Sequence, residues 1–179
     1  MSGGLNKGLT KVEVGVQWDM APKGAAAHDL DIVAATYTEE ALDAAPAYLV
    51  HFGSRSPDGT ITLNRDSRTG QGFGYDEVMV LELDRLAPRY ARVVVGIAIQ
   101  QPAQELTFRD ISGAGVRIRS GPLDLARHDF ADVLDHNSTT IAEFTRDGAG
   151  TWQYRRVIRG YDADPAAFAR QMGRTGPVS

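Results

Sequence analysis

The sequence contains no cysteine, which excludes disulfide bonds, thiolate metal sites and cysteine nucleophiles. No apolar stretch is long enough to span a membrane, and the first residues lack the apolar run of a secretory signal. The net charge of −4 argues against nucleic-acid binding, which would need a basic stripe. We therefore expect a cytoplasmic protein that binds no nucleic acid and has no membrane span.

The common motifs of catalytic and phosphate-binding sites are also missing. There is no G-x-S-x-G elbow, and the histidines show no H-E-x-x-H spacing. The glycine-rich stretch at residues 70–74 lacks the lysine and the Ser/Thr of a phosphate-binding loop. No carboxyl is marked as a general acid or base. We expect a protein that is not an enzyme, with a metal-dependent hydrolase as the alternative.

What the chain does contain is a series of short apolar runs separated by turns. Lys11 to Trp18 alternates between polar and apolar residues, as a half-buried strand does, and other runs are rich in β-branched residues. The predicted strands span residues 11–18, 28–35, 48–52, 60–63, 78–83, 91–99, 116–119, 139–145 and 151–158. Many short strands with regular turn signals favour an all-β fold.

Two turns predict hairpins between neighbouring strands. S-P-D-G at residues 56–59 would join the strands at 48–52 and 60–63, and D-G-A-G at 147–150 would join 139–145 and 151–158. Only the tail from Asp164 to Met172 has a helical pattern, with Asp164 as its N-cap. We predict a single domain over residues 1–179, a two-sheet antiparallel β-sandwich with a short C-terminal helix.

The segment N-R-D-S-R-T-G-Q-G-F-G-Y-D-E, residues 64–77, combines alternating glycines with acids on both sides. Glycine reaches backbone conformations that other residues avoid, so such a loop can turn carbonyl oxygens inward. Carboxylates and carbonyls are the ligands of a hard cation such as calcium. The alternative is a solvated loop that only joins two strands, and the loop itself does not decide between the two.

A second acidic pattern lies at H-D-L-D, residues 28–31. In a strand, Asp29 and Asp31 would share one face, where two carboxylates repel each other unless a cation lies between them. Asp19 follows the first strand. Because strand ends of a sandwich meet at two poles, several of these acids can converge. Calcium is the expected ion, with magnesium as the second choice.

Arginines are frequent late in the chain, at positions 117, 119, 127, 155, 156 and 159. They predict either a basic face that attracts an acidic partner or an ordinary solvated strand face.

Five segments together resemble the TerD family of tellurium-resistance and stress-response proteins. These segments are V-G-V-Q-W-D (14–19), D-L-D (29–31), S-P-D-G (56–59), D-S-R-T-G-Q-G-F-G-Y-D-E (66–77) and W-Q-Y-R-R-V-I-R-G-Y (152–161). The resemblance implies a β-sandwich that binds calcium through acidic loops in the bacterial cytoplasm, with no established enzymatic chemistry.

The resemblance also implies a metal-ligand set. Its members are Asp29, Asp31, Asp66, Thr69, Gly70, Gly72, Gly74, Asp76 and Glu77. Tyr75 departs from the family pattern, because it replaces the first aspartate of D-D-E, and Ser67 replaces an asparagine. A phenol ionises near pH 10 and is a poorer calcium ligand at pH 7. The alternative function is therefore a divergent scaffold with weakened or lost metal binding that acts through protein partners of unknown identity.

Overall fold

A computed structural model describes residues 8–25, 28–65, 75–100 and 105–174. These residues form ten strands and one α-helix: β1 (Lys11–Gln17), β2 (Leu30–Thr38), β3 (Tyr48–Val50), β4 (Ile61–Arg65), β5 (Glu77–Glu82), β6 (Tyr90–Ile99), β7 (Gly115–Ser120), β8 (Leu123–His128), β9 (Ser138–Arg146), β10 (Trp152–Tyr161) and α1 (Pro165–Gln171). Three short 3-10 helices connect them, at Leu83–Arg85, Phe108–Asp110 and Ala131–Val133.

The strands form two five-stranded antiparallel sheets. The first sheet has the order β4-β5-β1-β7-β8, and the second has the order β10-β9-β6-β2-β3. The predicted antiparallel sandwich with a C-terminal helix is confirmed. Within the first sheet, β1 lies at the centre and pairs with strands that follow it by about 60 and about 100 residues.

The main core lies between the two sheets and follows the predicted alternation. Val12, Val14 and Val16 of β1 face inward, and Trp18 just after the strand is also buried. Trp152 lies in this core, and Tyr154 packs against it from the same face of β10, as its alternation predicts. Such burial of apolar surface is the main favourable contribution to folding.

A second, smaller core lies on the outer face of the second sheet, where α1 packs. Phe168 of α1 is fully buried there against apolar residues of β2 and β6. The Asp164 carboxylate accepts the N–H of Ala167 at 2.8 Å, which is the predicted N-cap. Among the described residues, no helix is long and apolar enough to cross a membrane.

The second predicted hairpin forms between β9 and β10, but the first predicted hairpin is wrong. β3 belongs to the second sheet and β4 to the first, so the two strands do not pair with each other. The S-P-D-G turn itself forms: the Asp58 carboxylate accepts bonds from the Thr60 N–H at 3.1 Å and hydroxyl at 2.7 Å. Gly59 has a φ of +74°, which favours glycine. A turn signal marks where the chain reverses, but the long-range partner of each strand decides which sheet receives it.

Candidate metal centre

The acidic segments meet at one end of the sandwich. β1 ends there, β2 and β5 begin there, and β6 ends there beside the start of β2, where Leu30 pairs with Ile99. Arg65, the last residue of β4, pairs with Glu77, the first of β5. The end of β4 and the start of β5 therefore both lie at this end of the sandwich. Of the predicted ligands, Asp66, Thr69, Gly70, Gly72 and Gly74 lie outside the described residues.

Asp76 is held at this end by the backbone of β1. Its N–H donates to the Val16 carbonyl at 2.9 Å, and its carboxylate accepts the N–H of Trp18 at 2.9 Å. The Trp18 indole N–H in turn donates to the His28 carbonyl at 2.9 Å, so the start of β2 joins the same network. These bonds fix the Asp76 side chain directly after the glycine-rich segment.

The environment of Asp76 suits a cation. The residue is 3% exposed, and no described lysine, arginine or histidine forms an ion pair with its carboxylate. A buried carboxylate that lacks a cationic partner costs free energy, and a bound metal ion removes that cost. The donor chemistry here, carboxylate oxygen close to a glycine-rich segment, fits calcium.

Glu77 is fully buried and faces the space between the sheets, on the same side of β5 as Met79 and Leu81. Its carboxylate accepts the N–H of Ile32 in the second sheet at 2.7 Å. At Ile32 the strand β2 has no β3 neighbour, because β3 pairs only from Ala34 onward. Glu77 therefore takes the place of a missing strand partner and joins the two sheets.

Asp31 lies on the opposite side of β2 from Leu30 and Ile32, which face the main core. It is 1% exposed, and its carboxylate accepts a hydrogen bond from the side-chain amide of Gln100. Asp29 precedes the strand and is half-buried, and its carbonyl accepts the Gln100 N–H at 2.9 Å. The sequence placed both aspartates on one strand face, but β2 begins after Asp29.

The described part of the chain does not gather these acids into one cluster. Among residues 8–25, 28–65, 75–100 and 105–174, no three Asp, Glu or His side chains lie close enough to hold a metal ion. Asp19 is exposed and its carboxylate packs beside Gly113, while its N–H donates to the Ser112 carbonyl at 2.8 Å. The described acids thus supply separate oxygen donors around one end, and the remaining predicted ligands fall in the segment from Asp66 to Gly74.

Tyr75 points away from these donors. Its ring lies on Gly15 at the outer face of the first sheet, where an added Cβ would be 2.7 Å from Tyr75 Cγ. The Arg117 guanidinium donates hydrogen bonds to Asp124 and to Tyr75. These two bonds, of which the one to Asp124 has the larger effect, raise the pKa of Arg117 above its usual range. A side chain at position 75 therefore contacts β1 and β7 on the surface of the sheet.

Most of the late arginines lie on an exposed strand surface and pair with carboxylates there. Arg117 binds the Asp124 carboxylate through two bonds of 2.8 and 3.1 Å, and this pairing lowers the pKa of Asp124. Arg156 pairs with Asp132 at 3.5 Å. Arg117, Arg119 and Arg127 share the single carboxylate of Asp124, so these ion pairs neutralise only part of the positive charge on this surface.

Two residues at this end escaped the sequence analysis. Gln100 was given no role, yet it contacts both Asp29 and Asp31. Trp18 was assigned only a core role, yet its backbone and indole N–H groups organise Asp76 and His28. The only available signal was position, since Trp18 ends one predicted strand and Gln100 directly follows another.

Comparisons with known proteins agree with this architecture. The family model described as "TerD domain" matches residues 4–172. The crystal structure titled "unknown function protein SAV2460" is 55% identical, with a TM-score of 0.92 over 95% of this chain and 100% of that one. A homologue of telluride resistance protein (TerD), SCO6318 from Streptomyces coelicolor A3(2), is 47% identical, with a TM-score of 0.91 over 94% of this chain and 100% of that one.

A curated relative carries the same name. The tellurium resistance protein TerD of Alcaligenes sp is 28% identical over 170 residues, which cover 92% of this chain and 88% of the relative. The family model covers nearly the whole chain, and the solved structures share its two-sheet fold. The protein therefore belongs to the TerD family.

Proposed function

We propose that the protein is a calcium-binding module of the tellurium-resistance and stress-response type, without enzymatic activity of its own. The observation that carries the proposal is Asp76, a carboxylate that is 3% exposed, has no described cationic partner and directly follows the acidic, glycine-rich segment. Calcium takes six to eight oxygen ligands, and this end of the molecule offers oxygen donors from several strands.

The residues that would hold the ion are Asp76 and the donors of the preceding segment, Asp66, Thr69, Gly70, Gly72 and Gly74. Asp29, Asp31 and Glu77 would add negative charge around them. When bound, calcium supplies a positive charge that offsets the repulsion between neighbouring carboxylates. Trp18 and Gln100 position Asp76 and Asp31 through hydrogen bonds and would themselves contribute no charge.

Calorimetric titration of chelator-stripped protein with calcium, using magnesium as the comparison ion, tests the proposal. We expect saturable micromolar binding. Calcium at about one hundred times its dissociation constant should stabilise the fold by about 2.7 kcal/mol, or about 5–10 °C in melting temperature. The absence of both heat and stabilisation in excess calcium would refute the proposal.

Two matched variants identify the site. Asp76→Asn keeps an oxygen that accepts the Trp18 N–H but removes the charge, so calcium affinity should fall at least about tenfold. Asp43→Asn makes the same chemical change at an exposed position in the connection between β2 and β3, at the other end of the sandwich, and should leave affinity unchanged. Equal affinities of the two variants would place the ion elsewhere.

A second candidate is a TerD-type scaffold that has lost tight metal binding and acts through protein contacts. It is favoured by the hydrogen bonds that Glu77 and Asp31 already make to Ile32 and Gln100, and by the outward direction of Tyr75. Such a scaffold would remain fully folded in a chelator and release no heat with calcium.

A further inference from the structure

Each sheet of the sandwich has two edge strands, and three of the four are poor templates for a further strand. β3 has only three residues, while β8 and β10 each contain a register shift. Short or irregular edges disfavour pairing with another chain. β4 differs, because it pairs with β5 at five consecutive positions without a shift.

The alternation of antiparallel hydrogen bonds shows which backbone groups of β4 face outward. The Thr60 carbonyl accepts the Glu82 N–H at 2.8 Å, so Thr60, Thr62 and Asn64 bond to β5. Ile61 and Leu63 direct their backbone groups to the open side. The Ile61 N–H donates to the Ser56 hydroxyl at 3.3 Å, whereas the described chain gives the outward N–H and C=O of Leu63 no hydrogen-bond partner.

A groove of about 490 Å³ runs along this edge, between β4 and the connection from β3. Its lining residues include Val50, Ile61 and Leu63, of which Leu63 is partly exposed, and Phe52 stands at its rim with 59% of its surface exposed. The rigid S-P-D-G turn lies beside the start of β4 and fixes the wall of the groove. An extended chain could therefore satisfy the backbone of Leu63 and bury an apolar side chain together.

The charges in the groove indicate the chemistry of its occupant. Its lining contains Arg55 and His51 but no carboxylate. Arg55 is exposed and forms no ion pair within the described chain. β4 itself, I-T-L-N-R, contains no acid, so a second copy of this strand would bring no charge complementary to Arg55.

We propose that the groove beside β4 binds an extended, acidic and partly apolar segment of a partner protein, which adds a strand to the first sheet. Its backbone bonds to Leu63, one apolar side chain packs over Leu63 beside Phe52, and a carboxylate pairs with Arg55. Peptides that add to a sheet edge gain affinity from backbone bonds and specificity from alternate side chains. The proposal does not depend on calcium binding.

A display library of random decapeptides, selected against the full chain, supplies the probe. Enriched peptides should alternate apolar and polar residues and carry at least one Asp or Glu. Each synthesised peptide should slow hydrogen exchange at the Leu63 amide by at least about tenfold, since that N–H becomes a strand-pairing donor.

Three variants make the test specific. Leu63→Pro removes the outward N–H but no bond to β5, so peptide binding should be lost. Arg55→Glu should weaken acidic peptides about fivefold, the effect of roughly 1 kcal/mol from an exposed pair. Arg170→Glu makes the same charge change on the exposed side of α1 and should leave binding unchanged.

The proposal is wrong if no peptide is enriched, or if enriched peptides protect amides elsewhere in preference to Leu63. It is also wrong if the Leu63 amide becomes protected with rising protein concentration in the absence of peptide, because a second copy then fills the edge. Melting curves establish whether Leu63→Pro folds. If it does not, the peptide affinity of Arg55→Glu and hydrogen exchange at the Leu63 amide test the proposal.

Discussion

The carboxylate of Glu77 in the first sheet accepts the backbone N–H of Ile32 in the second sheet at 2.7 Å. Sheets of a sandwich usually contact each other through apolar side chains alone. Here a fully buried acid replaces the strand neighbour that β2 lacks at this position. Glu77 thus belongs to the acidic end of the molecule and also joins the two sheets through a hydrogen bond.

Replacing Glu77 by alanine should destabilise the protein even when no calcium is present. The change leaves the Ile32 N–H buried without a hydrogen bond, which costs about 1–3 kcal/mol, or about 2–12 °C in melting temperature. Glu77→Gln keeps an acceptor oxygen and should cost less. Urea unfolding in a chelator measures both variants. Glu82→Ala, at the partly exposed end of β5, is the control and should change stability little; equal losses at positions 77 and 82 would contradict the argument.

Arg92 should be among the most sensitive positions outside the acidic end. Its side chain is 8% exposed, and the guanidinium pairs with Glu143 at 2.7 Å and donates to the carbonyls of Leu42 and Gly173. Arg92→Met leaves these acceptors without their donor and should cost about 3–5 kcal/mol. Hydrogen exchange should show α1 loosening first, since Gly173 lies just beyond that helix.

Arg155 provides a matched control for Arg92. It pairs with the same Glu143 carboxylate at 3.0 Å, but its side chain is 69% exposed. Because water screens an exposed pair, Arg155→Met should cost less than about 1 kcal/mol. Similar losses for the two variants would mean that burial does not determine the strength of these pairs.

Acidification should weaken the fold through two histidines. Burial lowers the pKa of His51, and burial followed by the Arg156 guanidinium lowers the pKa of His128. The unfolded chain then binds more protons than the folded one as the pH falls below the unfolded pKa of about 6.5. Stability from this source is therefore present above that pH and is lost as the pH falls toward the lowered folded values.

Unfolding in urea at about pH 7 and about pH 5 measures this loss. The double variant His51→Gln with His128→Gln has no imidazole at either position. It should lose less stability between the two pH values than the natural protein. Identical losses would show that other groups account for the pH dependence.

Substituting Tyr75 by aspartate should not raise calcium affinity by more than about threefold. The Tyr75 side chain lies on Gly15 at the outer face of the first sheet, so we expect a carboxylate there to act as a surface charge that salt screens and not as a ligand. The same variant should melt at a lower temperature, because the ring no longer covers Gly15. Calorimetry and a melting curve test both statements, and a tenfold gain in affinity would show that position 75 reaches the ion.

Local patterns were sufficient to predict much of the fold. The alternation from Lys11 to Trp18, the turn between β9 and β10, and the Asp164 cap are each encoded within a few neighbouring residues. The hairpin around S-P-D-G was predicted wrongly, because the pairing of β4 with Met79 and Leu81 lies beyond its own turn. Short-range signals carry no information about that pairing.

The candidate site was predictable only in part for the same reason. Asp76 and Glu77 are marked by the glycine-rich segment before them. That Glu77 would bond to Ile32, 45 residues away, depends on how the sheets pack. Arg92 gave no signal either, since it lies in an apolar run and its partner Glu143 is 51 residues away.

The central place of β1 in the first sheet has a consequence for synthesis on the ribosome. Among the described strands β1 is made first, but both of its neighbours, β5 and β7, come much later in the chain. Its backbone can be paired on both sides only after residues 115–120 have left the exit tunnel. Until then the nascent chain presents an apolar strand with two open edges, which is when such a chain is most exposed to aggregation.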